Sequence, residues 1–126
     1  MRDDDVASEP AGGVLVVEML AEAGITTLLR WATVFETAVC ELPGPRLLVI
    51  DVRLLDGLSE GGVRGLLETF ERFRRHGIPG CLVAPPGSGA ERVVRRTALG
   101  DRVPVFPDRL TTFAAYQPLE VRYLPC

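Results

Sequence analysis

The segment that constrains the fold most is residues 46–52, which read RLLVIDV. Its run of apolar residues at 47–50 offers no polar face, so a strand formed by them has to be buried on both sides. Such strands occupy the centre of parallel sheets whose faces are covered by helices. Asp51 follows at the carboxyl end of this strand, the end beyond which open α/β sheets place their sites. The segment therefore predicts a central strand that leads into a functional loop.

Strand and helix patterns alternate along the rest of the chain. Short β-rich apolar runs predict further strands at residues 14–20, 81–84 and 103–106. Apolar residues at steps of three and four predict helices at residues 60–76, 90–99 and 107–116, and a first helix that Thr26 or Thr27 caps and that ends near residue 42. This alternation predicts an α/β fold with a mixed, mostly parallel sheet of four to five strands and about four helices.

The length of 126 residues agrees with one domain, which the pattern assigns to residues 13–116. Residues 1–12 are acidic and then rich in Pro, Ala and Gly, and they predict a flexible tail. Residues 117–126 carry alternating Val121 and Tyr123, which is compatible with a tail or an added edge strand.

The most regular helix pattern covers residues 60–76. Its apolar stripe consists of Val63, Leu66, Leu67, Phe70 and Phe73. Ser59 is a favourable N-cap residue, Glu60 adds negative charge to the first turn, and Gly77 is the glycine expected just beyond the last turn. The start of this helix therefore lies directly after the loop that follows the central strand.

Composition removes several classes of function. All 14 basic residues are arginine, and the absence of lysine excludes Schiff-base chemistry and a phosphate-loop lysine. His76 is the single histidine, so a histidine-based triad or a multi-histidine metal site is hard to build. The net charge of −3 argues against binding to nucleic acid. We expect a protein that is not an enzyme and that uses neither a metal nor a cofactor.

Cysteine usage and the start of the chain both favour a cytoplasmic protein. Cys40, Cys81 and Cys126 are 41 and 45 residues apart, a spacing that fits neither a zinc site nor a disulfide framework. We expect Cys40 and Cys81 to be small buried apolar residues, and Cys126 to be exposed. The first residues are acidic, unlike a secretion signal, and no apolar run approaches the length of a membrane span.

The loop after the central strand, with the helix start that follows it, is the main candidate site. It consists of Asp56, Gly57, Leu58, Ser59, Glu60, Gly61, Gly62 and Val63. A helix start presents unpaired N–H groups and the positive end of the helix dipole, and adjacent glycines allow close approach of a partner. An ordinary strand–helix turn capped by Ser59 explains the same residues. Asp51 and Asp56 are the candidate carboxylate pair beside this loop.

Two families share this pattern of strand, loop and helix. LVIDVRLLDG resembles the phospho-acceptor strand of response-regulator receiver domains, with Asp51 in the acceptor position. A receiver also needs acidic residues after its first strand and a lysine after its last strand. Here Ala21-Glu22-Ala23-Gly24 follows the first strand and the chain has no lysine, so a working receiver is set aside.

Residues 14–116 resemble the STAS domain family, which includes anti-sigma factor antagonists and the tails of sulfate transporters. LLVIDVRLLDGLSEGGVRGLL is similar to the family's central strand, turn and helix. HGIPGCLVAPPGSGAERVVRRTALGDRVPVFPDRLTTFAAY is similar to its second half. The resemblance implies a STAS-like fold and protein–protein interaction in bacterial signalling. It also implies a partner, a serine-kinase-type anti-sigma factor or a related STAS-binding protein.

The phospho-acceptor motif departs from the family. Antagonists read Asp-Ser-Ser-Gly and are phosphorylated on the first Ser, whereas this chain has Ser59, Glu60, Gly61 and Gly62 in those positions. The family's Gly-Glu-Leu-Asp after the early strand is also replaced, by residues 21–24. Glu60 carries a charge of −1, against about −1.5 to −2 for phosphoserine. The resemblance thus implies that position 60 is not switched, and Ser59 remains the candidate phosphorylation site.

The resulting hypothesis is an anti-sigma factor antagonist-like module that binds its partner through residues 56–63, with serine switching altered or lost. One alternative is a regulatory domain that binds a small ligand or nucleotide at the same helix start. Another is a scaffold without switching that acts through oligomerisation, for which a homodimer would be the sign. Neither nucleic acid nor a membrane is expected as a partner.

Overall fold

The computed structural model describes residues 13–38, 47–116 and 120–125, and these form one five-stranded sheet with helices on both faces. The strands are β1 (Gly13–Glu18), β2 (Leu47–Asp51), β3 (Gly80–Val83), β4 (Val105–Phe106) and β5 (Glu120–Pro125). Their order in the sheet is β4-β3-β2-β1-β5, and every pairing between them is parallel. The predicted α/β class is confirmed. Within the described residues the sheet is wholly parallel, whereas the sequence pattern predicts a mixed, mostly parallel one.

At least one helix lies between each strand and the next along the chain, and this explains the parallel pairing. The helices are α1 (Gly24–Ala38), α2 (Glu60–Arg75), α3 (Gly89–Arg96), α4 (Ala98–Arg102) and α5 (Arg109–Tyr116). Parallel neighbours require a crossover connection, and a helix supplies it in each case. Because every strand runs the same way, the loops that follow β1, β2, β3 and β4 all emerge at one edge, the carboxyl edge of the sheet.

The strand β2 lies at the centre of the sheet and is buried at every position. Leu48 and Ile50 point into the larger core cluster, to which α1, α2, α3 and α4 contribute. Leu47 and Val49 point to the opposite face, where Phe113 of α5 packs against them. Burial on both faces is what the run of apolar residues requires, so this prediction is confirmed.

The helix α2 forms as its sequence pattern indicates. Val63, Leu66 and Phe70 of the stripe are buried against the sheet, as is Phe73. Ser59 is the N-cap, and Gly77, with φ of +80°, ends the helix. The Gly77 N–H donates to the carbonyl of Arg74, and the Ile78 N–H donates to that of Phe73, the two bonds of a Schellman motif. Both caps could be predicted from the sequence because each depends on residues within one turn of the helix end.

Three helix boundaries differ from the predicted ones. The first helix begins at Gly24, before the threonines expected to cap it, because the turn at residues 21–23 already places Gly24 N–H on the carbonyl of Ala21. The predicted helix at 90–99 is divided into α3 and α4. Thr97 between them is extended, and its hydroxyl and N–H both donate to the carbonyl of Val94, which ends α3. The last helix begins two residues after Pro107, at Arg109.

Several predicted features lie outside the described residues. These are the tail at residues 1–12, the expected end of the first helix near residue 42, and the environments of Cys40 and Cys126.

The segment 120–125 forms the edge strand β5, in register with β1. Cys81 is buried in the smaller core cluster, as its apolar surroundings in the sequence indicate.

The contact between α1 and α2 depends on Gly65. A Cβ at this position would collide with Cγ2 of Ile25, a methyl group attached directly to a stiff β-branched carbon. We expect Gly65→Ala to destabilise the protein by about 1–3 kcal/mol through overpacking, partly offset by about 1 kcal/mol of helix propensity. Gly61→Ala is the matched control in the same helix, because its Cβ would have Ser59 Oγ as nearest neighbour at 3.8 Å. Urea midpoints at unchanged slope would measure both; equal midpoints would contradict this packing.

The thiol of Cys81 is expected to be inert in the folded protein. Burial raises the pKa of the Cys81 thiol to about 12, so the reactive thiolate is scarce up to about pH 9. In a Cys40→Ser/Cys126→Ser variant, we expect a disulfide reagent to modify Cys81 only after denaturation. Because the folded pKa exceeds the unfolded one, the thiol's contribution to stability is complete below about pH 9 and is lost as the pH rises towards 12. Rapid native modification at about pH 8 would contradict the burial of this thiol.

Candidate functional site

The residues of the sequence-predicted site lie together at the carboxyl edge, but only some of them are accessible. Asp56, Ser59, Glu60 and Gly61 are exposed. Gly57 and Leu58 are half-buried. Gly62 and Val63 belong to the first turn of α2 and are buried. The accessible part of the site therefore consists of Asp56 in the loop and of the N-cap with the first two residues of the helix. We call the second group the α2 start (Ser59, Glu60 and Gly61).

Ser59 is held by bonds on both sides. Its backbone is extended, with φ of −81° and ψ of 170°, and its Oγ accepts the Gly62 N–H at 3.0 Å. Its N–H donates to Glu22 Oε2 at 2.9 Å, and its hydroxyl donates to the same carboxylate oxygen. Glu22 belongs to the turn between β1 and α1, so one carboxylate connects that turn to the start of α2.

The two adjacent glycines serve different purposes. The sequence pattern indicates that both allow a partner to approach. At Gly62 the space is already taken, because a Cβ there would collide with the carboxylate of Glu22. At Gly61 the nearest atom to an added Cβ is Ser59 Oγ at 3.8 Å, so the surface in front of it is open. Close approach from outside is therefore available at Gly61 rather than at Gly62.

A group of four charged side chains lies at the ends of β1 and β2, and we call it the ion cluster (Glu18, Asp51, Arg53 and Arg109). Arg109 Nε lies 2.7 Å from Asp51 Oδ2, and Arg109 Nη2 lies 2.9 Å from Glu18 Oε2. Arg53 Nη2 lies 3.0 Å from Glu18 Oε2, and the Arg53 N–H donates to Asp51 Oδ1 at 3.0 Å. Asp51 is 0% exposed, so its charge is compensated inside the protein.

Arg109 reaches Asp51 because α5 begins at the same edge of the sheet. Asp108 caps this helix by accepting the Thr111 N–H at 2.7 Å. That bond is the main reason why the pKa of the Asp108 carboxyl is below its ordinary value. The cap fixes the first turn of α5 and with it the position of Arg109 over the ends of β1 and β2.

The carboxylate pairing inferred from sequence differs from the observed one. Asp51 and Asp56 are close in sequence, but Asp56 is exposed whereas Asp51 bonds to Arg53 and Arg109. The acidic neighbour in the sheet is Glu18, which is in register with Asp51 on the adjacent strand. Strand alignment could have indicated Glu18, since both residues end parallel strands. No local sequence signal identifies Arg109 or Glu22.

The loop after β3 touches the candidate site but is occupied by its own side chains. A Cβ on Gly89 would collide with the backbone carbonyl of Asp56. The loops after β2 and β3 therefore pack directly against each other at Gly89. Ser88 Oγ accepts the Glu91 N–H at 3.1 Å, and Glu91 Oε1 accepts the Gly87 N–H at 3.2 Å. This resembles a capping box, except that the carboxylate bonds to the residue before the N-cap and not to the N-cap itself. Hydrogen bonds from Arg95 and then from Gly87 lower the pKa of the Glu91 carboxyl. The N–H groups of Gly87, Ser88 and Glu91 are thus used within the protein.

Neither a metal-binding cluster nor a membrane-spanning helix occurs in the described residues. In the segments 13–38, 47–116 and 120–125, no three or more His, Cys, Asp or Glu side chains are placed to hold a metal ion. No helix in this part of the chain is long and apolar enough to cross a membrane.

A single α/β domain with an exposed helix start at the carboxyl edge of a parallel sheet is the class that fold and site define. The family profile of the STAS domain matches residues 12–111. The chain therefore belongs to the STAS domain family, as its resemblance to that family indicates.

One solved structure gives the same fold at low sequence identity. It is the STAS domain of a SulP transporter from Vibrio cholerae, which is 18% identical, with a TM-score of 0.56 over 80% of this chain and 84% of that one. At this identity the likeness concerns the fold alone. A search of curated proteins found no match.

The ion pair between Asp51 and Arg109 is expected to be essential for stability. Arg109→Ala leaves a buried carboxylate without its main partner, which costs about 3 kcal/mol or more. Arg53→Ala is the control: this side chain is 50% exposed, so its loss should cost less than about 1 kcal/mol. Asp51→Asn in the Arg109→Ala background should recover stability, because no buried charge remains. Equal urea midpoints for the two arginine variants would contradict this assignment.

Proposed function

We propose that this STAS domain is a protein–protein interaction module of the anti-sigma factor antagonist type, acting in bacterial signalling and transcription regulation in the cytoplasm. Its partner is a serine-kinase-type anti-sigma factor or a related STAS-binding protein. The α2 start and Asp56 form the recognition surface, and the domain itself catalyses no reaction. Serine switching is altered or lost relative to the family motif.

The observation that carries the proposal is the open first turn of α2. Ser59, Glu60 and Gly61 are exposed at the carboxyl edge, and no side chain of the described residues covers Gly61. A flat, glycine-containing helix start accepts a partner's backbone at short range, as an interface core requires. The rigid attachment of this turn through Ser59 also reduces the entropy lost on binding.

Exposed leucines in loops of the carboxyl edge support a protein partner. Leu20 follows β1 and is 54% exposed, and Leu54 follows β2 and is 51% exposed. Both lie in loops of the carboxyl edge, the edge at which α2 begins. Large apolar side chains that remain half in water beside an open backbone are typical of interfaces, whose cores exclude charged groups.

The ion cluster supports a structural role for the buried carboxylate. Asp51 accepts bonds from Arg53 and Arg109, and Glu18 is bonded by the same two arginines. Asp51 is enclosed by the protein and both of its carboxylate oxygens already accept hydrogen bonds, so neither oxygen faces a substrate. The domain is therefore proposed to bind its partner and not to transform it.

The state of the helix start argues against ordinary switching. Glu60, in the position of the family's acceptor serine, is the first residue of α2 and places a permanent negative charge in its first turn. That charge is favoured there by about 0.3–1 kcal/mol, and it cannot be added or removed by a kinase. A partner that distinguishes phosphorylated from free antagonist would meet one constant state at this position.

Gly61→Arg tests the recognition surface. The arginine would fill the open space in front of the first turn of α2, and we expect the Kd for the captured anti-sigma kinase to rise about thirty-fold or more, equivalent to about 2 kcal/mol. Gly62→Arg is unsuitable, because it would also displace the Glu22 carboxylate that bonds to Ser59. Ala115→Arg, an exposed position on α5, adds the same charge elsewhere and should leave the Kd unchanged.

Copurification followed by titration would provide these Kd values. Retained binding by Gly61→Arg would remove the α2 start from the interface. Thermal stabilisation of the protein by nucleotides, without capture of a kinase-like partner, would instead favour the small-ligand alternative.

A further inference from the structure

Glu22 contacts the start of α2 across 37 positions of the sequence, a contact that no local sequence signal assigns. Its half-buried side chain crosses from the β1–α1 turn and accepts both the N–H and the hydroxyl of Ser59. We call this contact the latch (the Glu22 carboxylate with the N–H and Oγ of Ser59). Through Ser59 Oγ and the Gly62 N–H, the latch continues into the first turn of α2.

Two further features bring Glu22 to this position and leave room for its carboxylate. The turn that carries it is closed by Gly24 N–H on the carbonyl of Ala21 at 3.0 Å, and by Ile25 N–H on the carbonyl of Glu22 at 3.1 Å. On the other side, Gly62 lacks the Cβ that would collide with the carboxylate. The second glycine of the altered motif thus makes room for Glu22.

The latch uses the hydrogen-bonding capacity of the Ser59 hydroxyl. A serine hydroxyl has one proton to donate, and here Glu22 accepts it. One lone pair is used by the Gly62 N–H. A kinase that transfers the γ-phosphoryl group of ATP to Oγ would form the new P–O bond there, break the bond to the bridging oxygen with release of ADP, and pass the proton to its own base. The product would place a dianion against the Glu22 carboxylate.

We propose that Glu22 is the positioning residue of the recognition surface and that it controls the modification of Ser59. Closed, the latch holds Ser59 as an unmodified cap; phosphorylation of Ser59 and a closed latch exclude each other. Modification therefore acts by separating the β1–α1 turn from α2, in addition to adding charge. This inference rests on the proposed function in one respect: the surface that Glu22 positions is the surface proposed to bind the partner.

Amide hydrogen exchange tests the contact itself in the full chain. With Glu22→Ala, the exchange rate of the Ser59 N–H should rise about ten-fold or more, as loss of a hydrogen bond to a charged group requires. Asp56→Ala is the control, because it removes a nearby exposed carboxylate of the same loop without breaking the latch. A Ser59 N–H that exchanges equally fast in wild type and in Glu22→Ala would overturn the proposal.

A thermodynamic cycle tests the mutual exclusion. Phosphoserine incorporated at position 59 during translation requires no kinase, and we expect it to lower the Tm when Glu22 is present. In the Glu22→Gln background, which keeps the size of the side chain and removes its charge, the same phosphoserine should leave the Tm unchanged or raise it, since a helix start favours an anion. An equal effect of phosphoserine in both backgrounds would overturn the proposal.

These measurements use the isolated chain, so they are independent of the partner. A failure of Gly61→Arg to weaken partner binding would leave the cycle unaffected and would overturn only the recognition surface. Conversely, absence of coupling between positions 22 and 59 would remove the control by Glu22 and leave the partner interface standing.

Discussion

A charged carboxylate at the end of a fully buried strand has to be compensated inside the protein, and much of this domain is arranged around that requirement. Asp51 ends β2, is 0% exposed, and receives its bonds from Arg53 in the following loop and from Arg109 at the start of α5. Removal of one partner would leave a desolvated charge. The bond from Arg109 to Asp51 therefore holds the start of α5 at the carboxyl edge. The same arginine reaches Glu18, so the ends of β1 and β2 and the start of α5 form one connected group.

This connection divides the carboxyl edge into two parts with different tasks. The ion cluster satisfies its charges internally and holds the strand ends and α5 in place. The α2 start, on the opposite face of the sheet, is attached by Glu22 and Ser59 but keeps an open surface at Gly61. Under the proposed function, the partner binds the accessible α2 start, whose shape is fixed by the bonds from Glu22 before the partner arrives.

How far the sequence predicts the structure depends on the distance over which each feature is determined. The central strand, the buried stripe of α2, the Ser59 cap and the Gly77 stop are determined by residues within one turn or one strand, and all are confirmed. The break at Thr97 and the early start of α1 depend on carbonyl acceptors in the adjacent turns, which periodicity does not register. The bonds between Glu22 and Ser59, and between Asp51 and Arg109, join residues 37 and 58 positions apart. They became visible only once the strand order had brought the loops to one edge.

The altered motif gains a physical meaning from its three substitutions taken together. Relative to Asp-Ser-Ser-Gly, Ser59 replaces a carboxylate cap by a hydroxyl, Glu60 adds a fixed charge, and Gly61 removes a side chain. The carboxylate missing at position 59 is supplied by Glu22, which bonds to the serine that took its place. Negative charge at the helix start is therefore already provided twice, by Glu22 and by Glu60, and the dipole has little left to gain from a phosphate. Under the proposed function, a partner of this surface is then expected to recognise the shape around Gly61, and phosphorylation of Ser59 is expected to act on that surface by opening the latch.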